Sequence, residues 1–141
     1  MRFWDSSALV PLIVDQAHSS QAEGLVRTDP GIVVWWGSAL ECLSALSRLR
    51  REGLLDPQGE DVALDLLYAL AESWSEISPR RELRTNAERL VRIHPLRAAD
   101  SLQLAAGLDW AISAGDSEFV TFDWQLARAA RLEGFRVLEA D

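Results

Sequence analysis

Asp5, Glu41, Asp100 and Asp123 are four acidic residues spread along the chain, and each stands close to the start of a helical pattern. Asp5 and Asp123 directly follow short apolar stretches. Glu41 lies three residues after Ser38, in the first turn of a helix that follows a strand, and Asp100 lies in the first turn of the most hydrophobic helical stretch. In an open parallel sheet every strand leaves at the same edge, and that edge is where ligands bind. Carboxylates gathered there repel, so one or more must take up a proton unless a counter-charge is present. A divalent cation supplies that counter-charge. Mg²⁺ or Mn²⁺ prefers carboxylate and water oxygens, keeps several waters and meets phosphate through its open positions. The chemistry such a set supports is activation of water against a phosphodiester.

Each of the four also has a purely local reading. Asp5 and Asp123 can cap the helices that follow them, Ser38 and Glu41 match the S-x-x-E capping box, and Asp100 can complement a helix dipole. Asp100, however, shares a stripe with Leu104, Leu108 and Ala111 that faces the core, where a cap alone needs no carboxylate. A partly buried charge needs a partner.

Composition narrows the chemistry further. All 14 basic residues are arginine, so phosphate binding by lysine, Schiff-base chemistry and a lysine base are excluded. Cys42 is the only cysteine and His18 and His94 the only histidines, which leaves no internal disulfide and little material for a thiolate or imidazole metal site. The net charge of −8 argues against coating nucleic acid by bulk electrostatics. It is unevenly spread: residues 80–97 hold six arginines (Arg80, Arg81, Arg84, Arg89, Arg92, Arg97) against Glu82 and Glu88, a local +4 that leaves −12 for the other 123 residues. That run reads either as a solvated helix face or as a stripe that meets an anion.

The elements that must position these residues alternate. Strands are expected at 1–4, 32–36, 74–77, 119–122 and 135–138, and helices at 7–14, 18–27, 38–52, 56–72, 80–91, 97–114 and 124–132. The third strand is the weakest of these. On the expected helices Leu64, Leu67, Tyr68 and Ala71 share one inward face, Leu83, Ala87, Leu90 and Val91 another, and the apolar set of the 97–114 helix includes Ile112. Strand–helix alternation implies a parallel α/β sheet. The 48% hydrophobic content suits one soluble globular domain over residues 1–141. There is no signal-peptide pattern and no run of 18 apolar residues, so the expected location is cytoplasmic, with no membrane.

Four motifs, DSSAL at Asp5, SALECLSAL around Glu41, HPLRAADSLQLAAGL around Asp100 and FVTFDWQLARAA around Asp123, together resemble the PIN domains, most closely the VapC-type ribonuclease toxins of bacterial type II toxin–antitoxin pairs. The motifs occur in the family's order and span nearly the whole chain. The resemblance implies a three-layer α/β/α sandwich with a central parallel sheet, a Mg²⁺- or Mn²⁺-dependent endoribonuclease, a homodimer, and a cognate VapB-type antitoxin whose C-terminal segment occupies the active-site groove. Carried over residue by residue, Asp5, Glu41, Asp100 and Asp123 match the acidic quartet. Asp5 and Asp100 are the direct metal ligands, Glu41 holds the metal or its water, and Asp123 acts directly or through water. Ser7 and Thr121 match small hydroxyl positions that support them.

Two other enzyme classes place acids at strand ends. A receiver domain requires a lysine, which the chain lacks, and a dehalogenase-type phosphatase requires an acid two positions after its nucleophilic aspartate, where this chain has Ser7. The remaining alternative is a PIN-like module that keeps the fold but serves as a catalytically silent binding or regulatory subunit.

Overall fold

The computed structural model describes residues 1–140. Five short strands, β1 (Arg2–Trp4), β2 (Ile32–Trp35), β3 (Ser75–Ile77), β4 (Glu118–Val120) and β5 (Arg136–Leu138), form one sheet in the order β3-β2-β1-β4-β5. Every neighbouring pair is parallel. Parallel neighbours cannot be joined by tight hairpins, so helices make the connections. These are α1 (Ser6–Ile13), α2 (Ser19–Thr28), α3 (Ser38–Arg51), α4 (Pro57–Ser73), α5 (Arg81–Ile93), α6 (Ala98–Ala114) and α7 (Trp124–Leu132).

The period-two alternation of strand side chains divides the core into two layers. Phe3, Val33, Trp35 and Phe119 pack against α5, α6 and α7 through Leu83, Leu90, Leu104, Trp110 and Leu126. Their neighbours Trp4, Val34 and Val120 face the other way, onto Leu9, Ile13, Cys42, Leu46 and Leu67 of α1, α3 and α4. The result is the three-layer α/β/α sandwich the sequence suggests. α6 lies close on the sheet at Gly107, where a Cβ would come within 2.7 Å of the buried Phe119 ring. A side chain there would push α6 off β4, and with it the helix start that carries Asp100.

Element ends differ from the sequence expectation by one or two residues, and three inward assignments change. Tyr68 is 58% exposed and Ile112 86%, and Val91 is also exposed. On α4 the buried line is Ala63 and Leu67, and Tyr68 turns about 100° away from it, which leaves its hydroxyl in water. On α5 the buried line is Leu83, Ala87 and Leu90. The last turn of α6 runs into solvent beyond Trp110, with residues 112–114 all exposed. No described helix is long and apolar enough to cross a membrane.

Candidate active site

The carboxyl ends of β1 and β4 meet where the Asp5 backbone N–H donates to Val120 O (3.1 Å). Asp5 is the N-cap residue of α1 by position, and its carbonyl accepts from Ala8 N and Leu9 N, yet its carboxylate makes no cap bond. Instead Ser7 Oγ donates to Asp5 Oδ1 at 2.6 Å. Ser7 Oγ accepts in turn from Phe122 N (2.9 Å) and lies 3.2 Å from Thr121 Oγ1, which accepts from Asp123 N (3.1 Å). Two small hydroxyls thus tie the end of β1 to the turn before α7.

Glu41 is held from two sides. Ser6 Oγ on α1 donates to its Oε1 (2.9 Å), and Gln103 Nε2 on α6 donates to its Oε2 (3.0 Å). The same amide nitrogen donates to Ser38 Oγ (3.1 Å), so the S-x-x-E sequence does not form a capping box: α3 is capped by Gly37, and both side chains turn to Gln103. Gln103 is only 1% exposed. It escaped sequence reading, although a lone amide in the apolar run LQLAAGL is the signal that marks it. Ser6 was legible only as a cap.

Asp100 and Asp123 are bound differently. Asp123 Oδ1 accepts from Gln125 N (2.8 Å) and Leu126 N (3.0 Å), a genuine helix cap. Asp100 Oδ2 accepts a long bond of 3.4 Å from Arg97 N at the start of α6.

All four carboxylates nevertheless line one cleft of about 570 Å³, walled by the starts of α1, α6 and α7 and by the Glu41, Ser44, Ala45, Arg48 face of α3. Asp5 is 3% exposed, and burial pushes its carboxyl up to about 7 against the hydrogen bonds of Ser7 and Thr121, with the charges of Asp123 and Glu41 adding to the rise. Burial also raises Glu41, opposed by the Ser6 and Gln103 bonds and reinforced by Asp100. Asp100 is raised by burial, partly offset by the Arg97 N–H, with Asp123 adding to it. None of the four forms an ion pair, while nine other carboxylates of the described residues do.

Residues 2–132 match the family model of the PIN domain. The chain belongs to the PIN domain family. Two solved structures share the architecture. Mycobacterium tuberculosis VapC20, a toxin that cleaves the sarcin–ricin loop, is 18% identical, with a TM-score of 0.66 over 96% of this chain and 97% of its own. PAE2754 of Pyrobaculum aerophilum is 20% identical, with a TM-score of 0.65 over 91% and 78% respectively. No curated protein matches this chain in sequence.

The donor set of this PIN domain suits a hard divalent cation. It is all oxygen, and the nearly buried Asp5 carboxylate has no cationic partner. Among the described residues no three acidic, histidine or cysteine side chains are gathered tightly enough to form a ready-made cage. Mg²⁺ does not demand one, because it is commonly bound through one or two carboxylates with the remaining positions filled by water and phosphate. Cys42 takes no part: it is buried, and its thiol is pushed up to about 12 by burial, with Glu41 and Asp5 adding to the rise.

Proposed function

We propose that this PIN domain is a Mg²⁺- or Mn²⁺-dependent endoribonuclease, the toxin of a type II toxin–antitoxin pair, that hydrolyses RNA phosphodiester bonds in the acidic cleft. The observation that carries the reading is a single one: four carboxylates from four separate segments line one cleft, and none forms an ion pair, the positive charge of Arg97 acting on Asp100 without a salt bridge. A bound divalent ion supplies a water of lowered pKa and Lewis-acid stabilisation of the phosphate. Asp5 and Asp100 are its direct holders, with Glu41 and Asp123 acting on it or on its water. Ser7 and Thr121 fix the Asp5 carboxylate from below, and Ser6 and Gln103 aim Glu41 into the cleft.

The partners proposed with this function are an RNA substrate, a VapB-type antitoxin and a second copy of the chain, in the cytoplasm. The exposed Val62 and Leu66, one turn apart on α4, support an associating surface. Partner-free protein is expected to cut RNA in Mg²⁺ or Mn²⁺ and to stop with EDTA, and its expression to arrest growth unless Asp5→Ala is introduced. A folded protein that cuts no RNA with either metal favours the silent binding module instead.

A further inference from the structure

The acidic cleft that suits a cation also repels an RNA strand, so something else must hold the flanking phosphates. Half of the arginine run at 80–97 is spent elsewhere. Arg80 is bound by Asp109 and Glu82, Arg84 faces Glu88, and Arg89 binds Glu133. Only Arg97 of that run lines the acidic cleft, and it is joined there by Arg48 of α3. Eight of the fourteen arginines form ion pairs among the described residues, but Arg48 and Arg97 do not, although four carboxylates share their cleft.

Their placement follows from helix geometry. Arg48 lies seven residues after Glu41 on the same face of α3, about 10 Å along the axis. Glu41 is bonded to Gln103 of α6. Asp100 lies one turn before Gln103, and Arg97 one turn before Asp100. The order along this path is Arg48, Glu41, Gln103, Asp100, Arg97, an acidic centre with a guanidinium at each end. The planar fork of arginine binds phosphate oxygens in pairs, and in a chain without lysine it is the only permanently charged side chain that can.

We propose that Arg48 and Arg97 clamp two phosphates of one RNA strand, one on each side of the carboxylate cluster, and so lay the bond to be cut across it. This rests on the nuclease reading above and adds the residues that position its substrate. The test uses a fluorescent 12-nucleotide oligouridylate, with binding followed by anisotropy in Ca²⁺ at several salt concentrations and cleavage of the oligomer and of UpU followed in Mg²⁺. Arg48→Gln and Arg97→Gln are each expected to weaken oligomer binding about 5- to 20-fold at low salt. Each should also reduce the slope of log Kd against log salt by about 0.7, the loss of one single-strand phosphate contact. Arg48→Gln should raise KM for the oligomer by a larger factor than for UpU, which has a single phosphate, and Arg48→Lys should restore part of the affinity. The double change R81Q/R84Q, on the neighbouring α5 surface, should alter none of these values.

Unchanged salt slopes in both single variants, a slope carried by R81Q/R84Q, or no binding by the parent protein at low salt each overturns the clamp. The two readings fail separately. A protein that binds through both arginines but cuts nothing keeps the clamp and loses the nuclease, whereas one that cuts with parental KM in both variants keeps the nuclease and loses the clamp.

Discussion

Asp5 and Glu41, on the α1–α3 side of the cleft, are held by side chains: Ser7 for the first, Ser6 and Gln103 for the second. Asp100 and Asp123, at the starts of α6 and α7, are held by backbone N–H groups. The difference separates two kinds of acidic residue at a helix start. A carboxylate that accepts from its own helix has a local reason to exist, and Asp123 would stabilise α7 in any protein. A carboxylate that ignores the free N–H groups beside it and is buried without a counter-charge costs stability. Its position is explained by what the cleft does. The proposed function therefore rests most on the Asp5 and Glu41 pair, and least on Asp123.

The largest expected effect falls on Asp5. Asp5→Asn keeps the shape and removes the charge, and RNA cleavage should drop by about 100- to 1000-fold or more, the equivalent of several kcal/mol of charge stabilisation. In EDTA at pH 8 the same variant should melt higher than the parent, by on the order of 5 °C, because the uncompensated charge is gone. A variant that is inactive and also less stable would place Asp5 among ordinary structural residues. Gln103→Ala, which strips Glu41 and Ser38 of a shared donor, should cost about 1–3 kcal/mol by denaturant unfolding. It should also lower kcat with little change in KM.

The two sides of the cleft were not equally legible in the sequence. Strand–helix alternation was enough for the layers and for bringing the acids to one edge. Ser38 and Glu41 read as a capping box, since S-x-x-E looks the same whether Glu41 turns back to its own helix or across to α6. The true partner, Gln103, lies 62 residues away. The apolar face of α6 hid that residue, because a helix with leucine and alanine on nearly all sides gives no direction inward. The arginine run was ambiguous for the same reason: Arg80 and Arg89 find Asp109 and Glu133 at 29 and 44 residues' distance, pairings that local composition does not show.

A pH titration sharpens the comparison further. The Asp5 carboxyl, raised to about 7 from an ordinary 3.8, takes up a proton on folding. Its stabilising contribution is complete below the ordinary value and is lost as pH rises through about 7. Metal-free protein should thus unfold at higher denaturant at pH 5 than at pH 8, and Asp5→Asn should remove most of that difference. Glu41 and Asp100 shift in the same direction. Glu133, held below its ordinary range by the Arg89 guanidinium, loses stability only at more acid pH and so acts outside this window. The smallest stability effect belongs to Asp123. Asn caps as well as Asp, so Asp123→Asn should leave stability within about 0.5 kcal/mol of the parent, while Asp123→Ala should lose about 1 kcal/mol. If both lower cleavage alike, the carboxylate serves the cleft as well as the helix.

The most direct test of the shared acidic centre is Mn²⁺ titration of the partner-free protein, followed by the loss of the free-ion electron paramagnetic resonance signal. Saturable binding that weakens at least tenfold in both Asp5→Asn and Asp100→Asn is the predicted result. No saturable binding, or binding untouched by either substitution, would show that these carboxylates do not hold a common ion.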